Sequence, residues 1–417
     1  MKLIHFADLH IGVDAYAKAE AQTGLDTRLR DLLSALDRLC DYAAENQVDA
    51  VLFAGDAYKN RDPSQTQQRE LAIRLIRLAK SGIAVVLVSG NHDMPYSRGR
   101  ATSQDIFALT HPNIHVFSTP QCVSLPTRSG ELVVCALPWL RRGNIAENAL
   151  KKWGLPNTIG QTNQDVTKIT EHVVSKLAEE ATAKDPHQPT VLVAHLWAQE
   201  AKLGSEHSYC IAGEPIIPIS LLANPTFHYV ALGHIHKMQI LRSDAPAIVY
   251  SGSLERLDFG EEKDEKGFMV IDIESSKPIN YHFVTLNGRR FFTLDIEVPT
   301  DSADPMAHIL NQIDMHRPSI SDAIVRLIIK LNTVQADLLK DQTFIRQALN
   351  SAHNFVVVKQ VTRPLTLRLP GQKAEEITPI QALGQYLRLQ NDLSPQTKKQ
   401  LLNLGQELIN NTDSKFC

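Results

Sequence analysis

Five apolar runs, each stopped by residues able to hold a divalent metal, constrain this chain more than anything else in it. KLIHF runs into Asp8 and His10, and VDAVLFAG into Asp56. IAVVLVSG runs into Asn91, His92 and Asp93, TVLVA into His195, and FHYVALG into His234 and His236. Continuous apolar runs of this length read as strands buried on both faces, as in a parallel sheet covered by helices. In such an α/β fold the strand ends converge at one edge of the sheet, so residues far apart in sequence share one pocket.

The segments between the runs support that class. Leu25, Leu29, Leu32, Leu36, Leu39 and Ala43 mark one face of a helix. Asp62-Pro63-Ser64 opens a second helix, with Leu71, Ile73, Leu75, Ile76 and Leu78 as its apolar residues. Further strands are expected near 113–117, 131–137, 190–194, 228–232, 246–250 and 267–273, with a polar helix over about 163–183. A second unit begins near Phe291. It reads as strand FFTLDIEV, a helix near 304–315, strand AIVRLIIKL, a helix over 336–350 and strand FVVVKQV. A Pro/Gly/charge-rich linker follows. Two amphipathic helices close the chain: one with Ile380, Leu383 and Leu387 on a stripe, one starting at Ser394-Pro395 with Leu401, Leu404 and Leu408 on a face.

Asp, His and Asn together are a ligand set for manganese, iron or zinc. One carboxylate can bridge two ions, and Asp56 is placed to do so. Two metals about 3.5–4 Å apart would stabilise both oxygens of an in-line displacement at phosphorus and generate hydroxide at neutral pH. His92, beside Asn91, can reach substrate without occupying a metal site, as a general acid or as a stabiliser of developing charge. Taken singly the pieces have plainer readings. Asp8-Leu9-His10 and Gly55-Asp56 suit ordinary turns, and His195 suits a buried structural histidine. A turn alone does not need the histidine of Gly90-Asn91-His92-Asp93, and Gly233-His234-Ile235-His236 sets two imidazoles at i, i+2. The remaining histidines read as structural or surface.

The order DLH, GD, GNHD, H, GHIH resembles the calcineurin-like metallophosphoesterase superfamily. More closely, MKLIHFADLHIG, AGDAYKNRDPS, VSGNHD, YVALGHIH and YSGSLERLDFGEEKDEKGF resemble the SbcD-type nuclease subunit of the bacterial double-strand-break repair complex. The resemblance covers about 1–285. It implies a four-layer α/β/β/α sandwich nuclease domain over 1–285, a small α+β capping domain over 286–363, and a linker and helical partner-binding tail over 364–417. It implies two divalent ions, manganese above all. Asp8, His10, Asp56 and His236 would hold one, Asp56, Asn91, His195 and His234 the other, and His92 would be catalytic. It also implies exonuclease action on duplex ends and endonuclease action on single strands or hairpins. The implied partners are DNA and an SMC-like ATPase of the SbcC type, with a homodimer inside a heterotetramer. One departure stands out. Three residues after Asp56, where many superfamily members carry Asp or His, this chain has Lys59, which cannot accept a hydrogen bond from His92. Either Asp93 or a backbone carbonyl orients His92, or Lys59 contacts phosphate.

Composition fits these expectations. The chain has 417 residues, enough for two or three domains, 43% apolar and 21% charged, with a formal net charge of -3. That balance argues against a broadly basic DNA-coating protein but permits a local basic groove. Five cysteines without a CxxC pair read as reduced thiols, and the absence of a signal peptide or long apolar run suggests a soluble cytoplasmic protein. No GxxxxGK[ST] loop occurs, so ATP control requires a separate protein. Lys59, Arg61, Arg98, Arg100, Arg141 and Arg142 are candidate phosphate contacts. A phosphoesterase for nucleotides or other small phosphodiesters would share every metal ligand and is the alternative. A non-catalytic scaffold would tolerate lost ligands, and none is lost here.

Overall fold

The computed structural model describes residues 1–20, 24–95, 100–140, 162–185, 187–204, 214–274, 278–339, 341–362, 378–390 and 393–413. In chain order the first strands are β1 (Lys2–Phe6), β2 (Ala50–Phe53), β3 (Ala84–Val88), β4 (Ile114–Phe117), β5 (Gln121–Thr127), β6 (Gly130–Leu137) and β7 (Thr190–His195). They are followed by β8 (Trp197–Ala198), β9 (Ile216–Ile217), β10 (Tyr229–Gly233), β11 (Gln239–Arg242), β12 (Ala247–Tyr250), β13 (Gly267–Asp272) and β14 (Asn280–Thr285). Two six-stranded sheets result, in the orders β14-β13-β1-β2-β3-β4 and β11-β12-β10-β7-β6-β5. The central strands β1 to β4 pair parallel, as do β6, β7, β10 and β12. The outer strands β13, β14, β11 and β5 pair antiparallel.

Alternate residues of a strand face opposite layers. Leu3, Leu52 and Val86 of the first sheet pack with Val134, Val193 and Val249 of the second in one core. Their neighbours Ile4, Val51 and Val85 pack instead on helices α1 (Thr27–Glu45) and α2 (Gln65–Lys80), through Leu29, Leu36, Leu71 and Leu75. Val133, Cys135 and Leu192 pack on Ile169, Val173 and Leu177 of α3 (Asn163–Lys184). The stack is α/β/β/α, four layers. Each fully buried Val or Leu in it contributes roughly 1.5–3 kcal/mol.

The helix starts follow from local chemistry. The Asp26 carboxylate accepts from the Leu29 N–H at the head of α1. Ser64 and Gln67 form a reciprocal capping box at the head of α2, satisfying two backbone donors. Five of the six residues expected on the apolar face of α1 are buried, and Leu25 is partly so. In α2, Leu71, Leu75 and Leu78 are buried while Ile73 is 52% exposed.

The chain divides into two compact units. One comprises Met1–Ile296, Ile309–Ile328 and Thr343–Val358, the other Glu297–His308, Ile329–Gln342 and Lys359–Cys417. Phe291–Glu297, Ile324–Asn332 and Asn354–Thr362 form a three-stranded sheet in that order. The helix expected over 336–350 is two short helices, Thr333–Leu338 and Thr343–Ala348. Its start lies earlier because Asn332 and Gln335 form a capping box there. In the tail, Thr378 caps Pro379–Leu389, and the Ser394 hydroxyl accepts from the Thr397 N–H at the head of Pro395–Asp413. The linker before them, and Cys210 and Cys417, lie outside the described residues. Cys40, Cys122 and Cys135 are not in disulfides. Among the described residues no helix is long and apolar enough to cross a membrane.

Candidate metal centre

The loops that follow β1, β2, β3, β7 and β10 meet at one edge, and backbone bonds stitch them together. The Asp8 N–H donates to the Gly55 carbonyl at 3.0 Å, and the His10 N–H to the Asp56 carbonyl at 3.0 Å. The stitching forces unusual backbone. Asp8 (φ 53), His10 (φ 48), Asp56 (φ 58) and His234 (φ 103) all have positive φ. For non-glycine residues this costs on the order of 1–3 kcal/mol each, and such strain gathers at functional sites. Two glycines are required by contact. A Cβ on Gly90 would lie 2.1 Å from the Asp56 carboxylate, and one on Gly55 would lie 2.3 Å from the His195 ring. Gly55-Asp56 is therefore more than an ordinary turn pair.

The structure brings Asp8, His10, Asp56, Asn91, His92, His195, His234 and His236 into this one place. Donor atoms of Asp8, His10 and His236 lie within 4.8 Å of one another, as do those of Asp56, His195 and His234. Asp56 stands between the groups: Oδ2 is 3.7 Å from His10 Nε2 and 3.4 Å from His195 Nε2. Asn91 Oδ1 joins the second group, 3.0 Å from His195 Nε2 and 3.2 Å from His234 Nδ1. Donor atoms of His10, Asp56 and His92 also lie within 4.8 Å of one another.

These donors fit divalent cations. His195 Nδ1 donates to the Ala54 carbonyl at 2.8 Å, which aims Nε2 at the Asn91 and Asp56 oxygens. His236 Nδ1 donates to the Glu261 carboxylate at 2.8 Å, and its Nε2 lies only 3.0 Å from His10 Nε2. The other ring nitrogen of His10 is buried without a partner. Lone pairs converge on common points, and positive charge there resolves the crowding.

The electrostatics of the site record the same crowding. Burial pushes the Asp8 carboxyl up to about 7. Burial and then the Asp56 charge push Asp93 up to about 7. Burial would also raise Asp56, but the His195 charge and hydrogen bond outweigh it and hold Asp56 well below the carboxylate range. Burial would lower His195, yet Asp56 lifts it to about 9. Burial carries His10 well below the usual imidazole range and lowers His234.

His92 Nδ1 lies 2.9 Å from the Lys59 carbonyl, which can only accept, so Nδ1 carries the proton and Nε2 is left for the pocket. The backbone carbonyl of Lys59 itself thus orients His92. Asp93 is engaged elsewhere, accepting from the N–H groups of Asp56, Ala57, Tyr58 and Gly90. The Arg61 guanidinium donates to the Met94 and Asn91 carbonyls, shaping the GNHD turn. Lys59 lines a cavity of about 160 Å³ with His10, Asp56, Asn91, His92, His234 and His236. Exposed Arg100 faces Asp62 at 3.7 Å; Arg98, Arg141 and Arg142 lie outside the described residues.

Three further residues border the site. Glu214 Oε2 lies 3.3 Å from His234 Nε2. Glu261 and Lys266 pair at 2.8 Å with both side chains fully buried. Burial would raise Glu261, but Lys266 and the bond from His236 bring it below the carboxylate range. Both lie in the charge-rich segment FGEEKDEKGF.

The model of the family described as calcineurin-like phosphoesterase matches residues 1–238. The chain belongs to that family. It is a metal-dependent phosphodiesterase. It is 25% identical over 294 residues to the SbcD component of nuclease SbcCD from Bacillus subtilis, covering 69% of this chain and 70% of that protein. It is 25% identical over 410 residues to the SbcD component of nuclease SbcCD from Rhodobacter capsulatus, covering 91% of each. Among solved structures, a dimetal phosphatase from Danio rerio is similar with TM-score 0.38 and 13% identity, over 65% of this chain and 92% of that one. The SbcD-type resemblance read from the motifs thus agrees with the relatives of this phosphodiesterase.

Proposed function

We propose that this phosphodiesterase is the nuclease subunit of a DNA-repair complex. It cuts phosphodiester bonds in DNA from duplex ends and within single strands or hairpins. The chemistry rests on one observation above others: Asp56 lies between two donor groups, 3.7 Å from His10 and 3.4 Å from His195. Asp8, His10, Asp56 and His236 would hold one divalent ion, and Asp56, Asn91, His195 and His234 the other; the donor set suits manganese. When bound, the ions supply Lewis-acid stabilisation of charge at phosphorus.

The chain's own residues do the rest. His92, fixed through Nδ1, turns Nε2 toward the scissile phosphate; as the imidazolium it passes the Nε2 proton to the leaving 3′ or 5′ alkoxide while water takes the alkoxide's place at phosphorus. Lys59, at the cavity wall, adds positive charge for the phosphate. In this reading 1–285 is the nuclease domain, 286–363 a cap that helps hold DNA, and 364–417 a linker and tail that docks an SMC-like ATPase of the SbcC type. The similarity to the SbcD components of nuclease SbcCD supports the nuclease assignment. Exposed Ile73 on α2, with Ile106 and Leu109, offers a surface for a homodimer within the larger assembly.

The test is cleavage of a labelled linear duplex and a single-stranded circle, with and without manganese, beside a small phosphodiester. Manganese-dependent DNA cleavage with slow turnover of the small compound is expected. Efficient turnover of the small phosphodiester with DNA untouched would overturn the proposal.

A further inference from the structure

We propose that Glu261 and Lys266 are positioning residues for one of the two metal sites. Together they fix the ring and the backbone of His236, so that its Nε2 is presented beside Asp8 and His10. The inference rests on the dimetal reading above and assigns a role to the segment FGEEKDEKGF.

The geometry grips His236 at two points. Glu261 Oε1 accepts from the ring Nδ1 at 2.8 Å, and the Lys266 ammonium donates to the His236 backbone carbonyl at 2.9 Å. A carboxylate in this setting accepts, so it dictates the tautomer: the proton sits on Nδ1 and the lone pair on Nε2. The pair is itself anchored. Lys266 Nζ donates to Ser253 Oγ at 2.9 Å and meets Glu261 Oε2 at 2.8 Å, and the Leu257 N–H donates to the same oxygen at 3.0 Å. The Asp258 carboxylate accepts from the Gly260 N–H at 2.7 Å, shaping the turn that aims Glu261 at the ring.

Stability alone does not account for this arrangement. Both side chains are 0% exposed, and a buried ion pair stabilises a fold little better than apolar residues of equal volume. Apolar residues could not set a tautomer. The neighbouring His234 is held differently: its Nε2 faces Glu214 at 3.3 Å, and that side chain is 12% exposed. The two histidines of one motif therefore use opposite nitrogens toward their carboxylates, and only His236 is also held by its carbonyl through a buried lysine.

The test is calorimetric titration of manganese into the metal-free full chain, with circular dichroism and melting on the same samples. Wild type is compared with the double variant Glu261→Leu/Lys266→Met and with Glu261→Gln. Wild type is expected to bind two ions. The double variant is expected to keep its fold and melting temperature while one site weakens about 10–100-fold and the other is retained. If the double variant does not fold, Glu261→Gln carries the test, with a loss of about 10-fold confined to one site. Two sites of unchanged affinity, or equal weakening of both, overturn the positioning role. A wild type that binds fewer than two ions overturns the dimetal reading and this inference with it.

Discussion

The strand-end loops of the first unit and the helical tail of the second are both built by sound local rules, yet they differ in what their side chains touch. In the loops, Asp8, Asp56 and His195 are buried at 0–2% exposure, and the backbone accepts positive φ to place Asp8 and Asp56. Strain of that kind persists only where surrounding contacts over-determine it. In the tail, Thr378 and Ser394 cap their helices well, and Gly405 lets the helices approach so closely that a Cβ would lie 2.1 Å from Leu383. Even so, Leu404 and Leu408 stay 58% and 62% exposed. One region gathers its polar side chains in buried contacts within the chain. The other presents an apolar face, which agrees with the proposal that it docks a partner helix.

The sharpest way to break this contrast is at Asp56. Because it faces both donor groups, Asp56→Ala should weaken manganese binding at both sites by more than about 100-fold and abolish phosphodiester cleavage. Loss at one site only, measured by calorimetry, would mean that it does not bridge. His92→Ala comes next. Turnover should fall by roughly 10²–10⁴-fold with both metals still bound, since its Nδ1 is tied to the Lys59 carbonyl and only Nε2 is free for substrate.

The third effect is on stability. Burial raises the Asp8 carboxyl to about 7 in the fold, above the value of about 3.9 for an unfolded chain. A raised acid stabilises the fold only while protonated, so this contribution is full below about pH 4 and is lost as pH rises toward 7. Metal-free Asp8→Asn should therefore melt above metal-free wild type at pH 8, with the gap narrowing toward pH 4. Added manganese should raise wild type more than the variant, which keeps only the site that lacks Asp8. A gap that does not change with pH would count against ionised, crowded Asp8. The smallest effect should be in the tail. Leu404→Ala should change stability by less than about 0.5 kcal/mol, against roughly 2–5 kcal/mol for buried Leu36→Ala in α1, and should reduce retention of the proposed ATPase partner in co-purification.

Sequence was most legible where one physical cause dominated. Continuous apolar runs located the central strands, because burial on both faces leaves no room for polar residues, and their polar stops located the pocket. The outer strands β5, β11 and β14 were not anticipated: their residues are half-exposed, and QCVSLPT carries a proline. The helix expected over 336–350 starts earlier and is two short helices, its start set by the Asn332–Gln335 capping box. Around the site, Glu261 and Lys266 were missed for a related reason. A charge within a charged segment looks solvated, and only the turn at Phe259–Glu261 and the start of β13 reveal that two of these charges are buried. The orienter of His92 could not be chosen from sequence, since a backbone carbonyl has no residue type.

The central claim is that one pocket holds two metals and a separate acid. The most direct measurement pairs manganese stoichiometry with DNA cleavage for wild type and His92→Ala in the same preparations. The account predicts two bound ions in both proteins and cleavage in wild type alone. Loss of an ion in the variant would make His92 a ligand, in line with its place beside His10 and Asp56, and cleavage retained in the variant would remove it from the chemistry.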